Sequence, residues 1–412
     1  MSPFNSLLYI CGYLIFPIIF MKHFLLFVAS LFASLQLFAG NAAVSVLTCS
    51  PGDEVYSLFG HTGLRYKNEE KGLDVVFSYG YFDFDSPNFV WRFVKGETDY
   101  IVGAVPYEMF MEEYEERGGA VVEQVLELTP GQEQELFDII AFNCRLENRK
   151  YRYNYFYNNC TTKIRDQIAR VASGLSYAGY DAAGNVTFRD ELRRLTASHP
   201  WYSFGIDLML GADIDKPATG MELQFIPENF LRDLEDATVV MANGETVPFV
   251  KEQSLVLVEA ENNTAIVESR FTPFYVSVLL LLFTFIIMLC EIRSKRTFWL
   301  FDAVLLTLQG LCGVLLLFMA LFSQHPAVDN NWAMLLLNPL MLVIMPVYVN
   351  RLRKNRTMSV AWVQVVCVLL FFLSAAFSLQ VYPTPIYFCA VALLVRSVFN
   401  IYKERICDLS LY

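Results

Sequence analysis

The sequence is short of histidine, of paired cysteines and of charge. Four histidines occur in 412 residues and no Cys-x-x-Cys pair is present, so the usual ligands of a zinc site are missing. We therefore expect no metal and no other cofactor. Only 18% of the residues are charged, whereas 55% are hydrophobic. This composition excludes a disordered chain and a single soluble domain, and it indicates a globular domain joined to a membrane part.

The charge is distributed unevenly along the chain. Residues 271–412 contain ten Lys or Arg and five Asp or Glu, which leaves 21 and 37 for residues 1–270. The net charge is therefore −16 in the first part and +5 in the second. Because proteins that bind nucleic acid present basic surfaces, the acidic first part argues against nucleic acid as a partner.

Two apolar runs stand at the N-terminus. The first covers residues 4–20, and the second, residues 24–38, follows the basic step Met21-Lys22-His23 and ends in small residues. The second set has the three parts of a signal peptide. We expect residues 1–43 to be a signal peptide, with Met21 as the true start, or alternatively an uncleaved anchor helix.

The chain becomes strongly apolar after residue 270. The loops after the first and third apolar segments and the tail carry Lys and Arg, whereas loops 323–332 and 380–385 carry none. By the positive-inside rule the two bare loops lie outside the cytoplasm, and residues 44–270 lie on that side too. We predict an exported domain over 44–270 and a membrane domain over 271–412, with five spans of bilayer length at about 274–290, 298–322, 333–350, 358–379 and 386–402.

Cys160 is the candidate nucleophile. Apolar residues follow it at helical spacing, and Asn158 and Asn159 before it are of a type that caps helices, so a helix is expected to begin at or near the cysteine. A thiol at a helix N-terminus feels a partial positive charge, which lowers its pKa and favours the nucleophilic thiolate. The alternative is a half-buried structural cysteine at a helix start.

His61 is the candidate base. It opens an alternating run that is followed by a turn-like segment and a second run, 73–79, so a β-hairpin is predicted. If the turn is centred near residues 69–70, Ser78 or Tyr79 lies opposite His61, where it would hold the imidazole in one tautomer. Asp83 is an outside candidate for that role. The alternative for His61 itself is a purely structural histidine.

Other polar residues of the exported side have less specific interpretations. His199 lies in an expected loop and is assigned no function. His325 lies in an outer loop of the membrane domain, where it contacts a substrate head group or belongs to a simple connection. Cys49 and Cys144 would be able to form a disulfide in an oxidising compartment.

Three short blocks carry a family resemblance. Residues 47–54 (LTCSPGDE), 58–62 (LFGHT) and 157–162 (YNNCTT) resemble the Lnb-type lipoprotein N-acyltransferases, whose exported part is the Lnb N-terminal periplasmic domain. Weaker similarity near residues 204–211 and 325–339 extends the resemblance over about residues 44–400. The order of the two key residues, with the histidine 99 positions before the cysteine, is similar to that of the circularly permuted papain-like fold of the lecithin:retinol acyltransferase group.

The resemblance implies an architecture and a location. The fold class is α+β, with a circularly permuted papain-like (NlpC/P60-like) exported domain followed by an α-helical membrane bundle of five spans. The location is the bacterial inner (cytoplasmic) membrane, with the catalytic domain in the periplasm.

The resemblance also implies a mechanism. His61 takes the proton of Cys160, the thiolate accepts an acyl chain from a phospholipid, and the thioester passes the chain to the α-amino group of a diacylglyceryl-cysteine lipoprotein. The backbone N–H of Cys160 and the Asn159 amide, with Asn158 in support, are expected to stabilise the oxyanion. Phospholipid, lipoprotein and the membrane are therefore the expected partners.

Two other functions remain open. One is an exported cysteine hydrolase of the NlpC/P60 kind that acts on peptidoglycan peptides or other amides, and the other is a non-catalytic membrane binding or assembly protein. Five spans are more than an anchor needs, which favours a role with lipids. The aromatic run at 151–157, just before the cysteine, either lines a slot for an acyl chain or packs in the core.

Overall fold

The computed structural model describes residues 42–406, apart from 53, 55–56, 83–87, 89–90, 93–94, 98, 178–183, 242, 261–270, 355 and 357–359. Residues 1–41 of the expected signal peptide or anchor, and the outside candidate Asp83, fall outside the described residues, whereas residues 42 and 43 begin the first strand. What is described forms a mixed α/β domain, rich in sheet, followed by a set of apolar helices.

The N-terminal domain is built on an antiparallel sheet of seven strands. The strands of the domain are β1 Ala42–Cys49, β2 His61–Asn68, β3 Leu73–Phe82, β4 Asp99–Pro106, β5 Val121–Leu126, β6 Lys150–Arg152, β7 Thr238–Val240, β8 Thr246–Pro248 and β9 Val250–Leu257. The spatial order in the sheet is β6-β4-β3-β2-β1-β5-β9, and β7 pairs with β8 in a separate hairpin. Successive strands β1 to β4 are neighbours, so this part is a meander.

Helices cover both faces of this sheet. The helices of the domain are α1 Tyr107–Glu116, α2 Pro130–Asn143, α3 Cys160–Val171, α4 Phe188–Leu195, α5 Pro200–Met209, α6 Gly220–Leu223 and α7 Pro227–Glu235, with a 3-10 turn at Ala212–Asp215. Successive side chains of a strand point to opposite faces. Val44 and Val46 of the strand β1 therefore enter a larger core with α2, α3 and α7, whereas Leu47 and Cys49 enter a smaller core with α1.

The C-terminal part is a bundle of apolar helices. They are α8 Pro273–Ser294, α9 Trp299–Phe322, α10 Leu340–Arg353, α11 Ala361–Ala376 and α12 Thr384–Ile406, with a 3-10 turn at Trp332–Leu335 before α10. Four segments are long and apolar enough to cross a membrane, the third being the 3-10 turn together with α10. The predicted span at 358–379 contains α11, a shorter apolar helix of 16 residues. Large apolar side chains on α8 and α9 face outward, as expected of a surface in contact with lipid.

A cluster of paired charges is buried between α8, α9 and α12. Arg396 donates to Glu291 at 3.0 Å and to Asp302 at 2.5 Å, and Lys403 donates to Glu291 at 2.9 Å. Asn400 adds a bond to Asp302 at 2.7 Å. Two acidic and two basic groups balance in this cluster, as buried charges in a membrane protein must.

The N-terminal domain is held against one end of the bundle by hydrogen bonds to the segment before α8 and to both bare loops. The Trp201 indole donates to the carbonyl of Phe271 at 2.7 Å, just before α8. The N–H of Gln324 donates to the carbonyl of Lys95 at 2.7 Å, and the N–H of Val381 donates to the Asp215 carboxylate at 2.9 Å. Gln324 and Val381 belong to the two loops without Lys or Arg, so the domain sits on the side that the charge pattern places outside the cytoplasm.

Candidate active site

Cys160 is the first residue of helix α3, as the sequence predicted. The cap is reciprocal, since the Asn159 side chain accepts from the N–H of Thr162 at 2.9 Å and the Thr162 hydroxyl accepts from the N–H of Asn159 at 2.8 Å. Ile164 and Ile168 on the same helix are fully buried against the sheet. The cap and the apolar face together fix the position of the thiol at the positive end of the helix dipole.

His61 is the first residue of strand β2. It follows Gly60, whose φ of +75° turns the chain into the strand, and a Cβ at that position would lie 2.6 Å from the carbonyl oxygen of Cys49. Only glycine fits such a turn without strain. The predicted hairpin is confirmed, because β2 pairs with β3 across the turn at 69–72.

The structure brings the thiol of Cys160 and the imidazole of His61 within hydrogen-bonding reach. Burial raises the pKa of the Cys160 thiol, but the His61 charge, its hydrogen bond, and further hydrogen bonds from the Thr62 N–H and the Thr161 hydroxyl outweigh burial, so the pKa is lowered. The Thr161 hydroxyl lies 3.8 Å from the sulfur and 3.0 Å from the Thr62 hydroxyl, which ties helix α3 to strand β2. The net effect favours a thiolate beside a histidine.

Ser78 and Tyr79 do not take the position expected of them. Ser78 lies opposite Gly63, not opposite His61, and continuing the same register would place Gly80 opposite His61. The Ser78 hydroxyl forms no hydrogen bond with the imidazole, and the Tyr79 hydroxyl instead accepts from Asn143 at 2.8 Å. The reason is that the turn is centred further along the chain than predicted, which shifts the register of the hairpin.

Asn158 and Asn159 are structural groups in this fold, in contrast to their expected role at the oxyanion. The Asn159 amide donates to the carbonyls of Phe225 at 2.7 Å and Tyr155 at 3.1 Å, while its oxygen caps the helix. The Asn158 amide donates to the carbonyl of Arg152 at 2.6 Å. The cap leaves the backbone N–H of Cys160, in the first turn of α3, without an acceptor inside the helix.

A glycine that sequence reasoning missed lies against the thiol. Gly80 has a φ of +104° at a β-bulge between Tyr79 and Tyr81, and a Cβ there would lie 3.9 Å from the Cβ of Cys160 and 3.8 Å from the ring of Tyr153. A glycine inside a strand pattern is a known signal of a bulge or a close approach. The bulge bends the end of β3 beside the helix start.

Four tyrosines surround the cysteine. Burial first, and the negative charge of Cys160 second, raise the pKa of the phenols of Tyr151, Tyr153 and Tyr155 well above their usual range. Tyr100 stacks on Tyr153 with ring centroids 4.1 Å apart. Among the residues that the structure describes, none hydrogen-bonds the buried hydroxyl of Tyr155 or of Tyr151. These phenols therefore remain protonated, and two of them have a hydrogen to donate.

The other histidines and cysteines lie elsewhere. His199 occupies the position before α5 without a side-chain capping bond, and its ring stacks on Tyr202. His325 lies in the outer loop, beside Gly96 of the N-terminal domain. Cys49 and Cys144 are free thiols rather than a disulfide. Burial raises the pKa of both, that of Cys144 to about 12.

Two family models match the chain. The model of the Lnb N-terminal periplasmic domain matches residues 34–196, and the model of the Lnb transmembrane domain matches residues 263–405. The chain belongs to the Lnb family. The resemblance seen in its motifs is thus confirmed. No curated protein and no solved structure matches the chain.

Lnb membership fixes the broad class of the protein. It is a membrane protein whose N-terminal domain is periplasmic, which confirms the orientation derived from the basic loops. Lnb domains also indicate a membrane enzyme that modifies lipoproteins. Both residues of the Cys160–His61 pair fall within the match to the periplasmic domain model.

Proposed function

We propose that this Lnb protein is a lipoprotein N-acyltransferase that works through a thioester on Cys160. The observation that carries the proposal is the thiol of Cys160 placed beside the His61 imidazole, which lowers the pKa of the thiol, in a domain held against the outer end of a membrane bundle. Both substrates are lipids, so a site fixed at the bilayer meets them without extracting them into water.

In the first step the thiolate attacks an ester carbonyl of a phospholipid. His61 has taken the thiol proton, and it returns this proton to the alkoxide oxygen of the leaving lysophospholipid as the carbon–oxygen bond breaks. The acyl group is left on the sulfur of Cys160 as a thioester. No oxidant or reductant takes part.

In the second step the α-amino group of a diacylglyceryl-cysteine attacks the thioester. Neutral His61 removes a proton from the amine as the new amide bond forms, and the carbon–sulfur bond breaks to regenerate the Cys160 thiolate. The product is a triacylated lipoprotein. Thioester formation divides one acyl transfer into two easier steps.

The oxyanion of each step needs hydrogen donors. The backbone N–H of Cys160 is one, because it lies in the first helical turn. With Asn159 occupied by the cap, the buried and unpartnered hydroxyl of Tyr155 is the second donor that we assign. Tyr155→Phe is expected to lower the rate of acyl transfer about 100-fold, whereas Tyr151→Phe, which removes a similar hydroxyl, should have little effect. Equal rates in both variants would contradict this assignment.

The finer points of architecture belong to the same proposal. A cysteine at a helix start packed on an antiparallel sheet, with its histidine on a preceding strand, is compatible with a permuted papain-like arrangement. We take α11 as a fifth, short span, because it lies between a basic loop and a bare loop and packs along α12. The alternative function, an exported cysteine hydrolase, would use the same pair of residues.

The test is an acyl adduct on Cys160. The full-length protein is incubated in vesicles of phosphatidylethanolamine and phosphatidylglycerol and analysed by intact-protein mass spectrometry. An added acyl mass that is absent in Cys160→Ala and present in Cys144→Ala is expected, since Cys144 is a free thiol whose pKa burial raises to about 12. In cells lacking the protein, lipoproteins with free α-amino groups should accumulate. If they do not, the acyltransferase proposal is wrong.

A further inference from the structure

One loop of the bundle passes beside the candidate site. We define the strap as residues 323–331, which connect the end of α9 to the 3-10 turn before α10. We propose that the strap is part of the Cys160 site and that it opens the thiol to molecules in the bilayer while shielding it from the aqueous periplasm. The inference rests on the proposed acyl transfer.

The first end of the strap is fixed to the segment of the domain that precedes β4. The Gln324 N–H donates to the carbonyl of Lys95 at 2.7 Å, and the Gln324 side chain accepts from Arg152 of β6. Gly96 permits this approach, because it has a φ of +68° and a Cβ there would lie 2.5 Å from the backbone nitrogen of His325. This anchor therefore joins the strap to the strands that carry Tyr100 and precede Tyr153.

The second end of the strap is fixed to the segment after α5. The Gly211 N–H donates to the carbonyl of Ala327 at 2.7 Å, and the Ala212 N–H donates to that of Asn330 at 2.8 Å. The Asn331 amide donates to the carbonyls of residues 208 and 209 at 2.9 and 3.1 Å. A Cβ on Gly211 would lie 2.4 Å from the carbonyl oxygen of Asn330, so this anchor also requires a glycine.

The segment that receives the second anchor is itself rigid. Arg189, 1% exposed, donates to the carbonyl of Gly211 at 2.8 Å and pairs with Asp207 and Asp215. Asp215 also accepts from the N–H of Val381 in the other bare loop. The segment that holds the strap is therefore fixed from within the domain by Arg189 and from the bundle by the second bare loop.

The middle of the strap reaches the surroundings of the site. Ala327 packs against an aromatic cluster that Phe59 and Tyr155 also contact. Phe59 precedes His61 by two residues and meets the Tyr155 ring edge-on, with centroids 4.9 Å apart. The strap thus packs against the same aromatic cluster as residues beside Cys160 and His61, and Cys160 itself is only 8% exposed. A lipid chain following the bundle reaches it along the strap, whereas a water-soluble molecule meets packed side chains.

The test compares two thiol reagents on Cys160 and does not require turnover. The full-length protein in vesicles of phosphatidylethanolamine and phosphatidylglycerol is treated with N-dodecylmaleimide, which resides in the bilayer, or with a sulfonated maleimide, which stays in water. Modification of the peptide containing Cys160 is followed by mass spectrometry. Gly211→Ala disturbs the second anchor, and Gly205→Ala is its matched control, because a Cβ on Gly205 in α5 has no neighbour within 4 Å.

We expect the wild type and Gly205→Ala to favour the bilayer reagent equally. Gly211→Ala should shift the ratio of the two rates at least fivefold toward the aqueous reagent. Asn331→Asp, which removes the donated hydrogen bonds at nearly constant size, should do the same if Gly211→Ala does not fold. A smaller shift in the folded variants, or equal loss of both rates, overturns the proposal. If the wild type prefers the bilayer reagent but never takes an acyl group from phospholipid, the strap stands and the acyltransferase function fails.

Discussion

The hydrogen bonds of Asn159 at the cap of helix α3 indicate how much folding stability the domain would lose without them. The Asn159 side chain accepts one bond, from the N–H of Thr162 at 2.9 Å, and donates two, to the carbonyls of Tyr155 at 3.1 Å and Phe225 at 2.7 Å. The residue is 5% exposed, so water does not replace these partners. Asn159→Ala removes all three bonds at once.

The expected loss is the sum of two physical effects. An N-cap replaced by alanine costs about 1 kcal/mol. Each of the two buried carbonyls that loses its donor costs about 1 kcal/mol more, at the low end for an unsatisfied buried group. The total of about 3 kcal/mol corresponds to a decrease in Tm of roughly 6–12 °C for a domain of about 200 residues.

The assay is thermal unfolding of the full-length protein in detergent, followed by tryptophan fluorescence. Asn158→Ala is the matched control, because it removes a single bond to the carbonyl of Arg152 and its Tm should fall less than half as far. If Asn159→Ala keeps the wild-type Tm and yet loses acyl transfer, the amide acts on the reaction and not on the helix. That result would refute our assignment of the residue.

Three further substitutions test separate features. His61→Ala removes the interaction that lowers the pKa of the Cys160 thiol against the effect of burial. The pKa should therefore rise, and the pH midpoint of Cys160 alkylation should move upward. An unchanged midpoint would show that His61 does not act on the thiol. Gly80→Ala places a side chain at a φ of +104°, which costs about 1–3 kcal/mol, and adduct formation should fall; a normal rate would show that the bulge is dispensable. Glu291→Gln leaves Lys403 without its buried anion, so the Tm in detergent should fall by several degrees, and a stable variant would contradict the charge balance.

Local patterns predicted the helix and the hairpin of the site, but not their register. The cap and the first turn of α3 lie within a few residues of Cys160, so the sequence is sufficient to place them. The residue opposite His61 depends instead on where the turn closes. Asn68 pairs with Leu73, so the turn is centred between residues 70 and 71, slightly beyond the predicted position, and this changes which residue faces the imidazole.

The role of Asn159 depended on a partner that the sequence does not identify. Its residue type is right both for a helix cap and for an oxyanion donor. The carbonyl of Phe225, which takes one of its two amide hydrogens, is 66 positions away. The same holds for the strap, whose partners at Lys95 and Gly211 lie far from it in sequence and close only after the two parts have packed together.

The contrast among three thiols shows what makes one of them reactive. Cys49, Cys144 and Cys160 are all free thiols in the described part of the periplasmic domain, and burial raises the pKa of each. Only at Cys160 is burial outweighed, because the start of strand β2 supplies the His61 imidazole and the Thr62 N–H to the start of helix α3. Depth in the core therefore does not distinguish the nucleophile. The nucleophile is distinguished because it lies where the start of a strand meets the start of a helix, 99 residues apart in sequence.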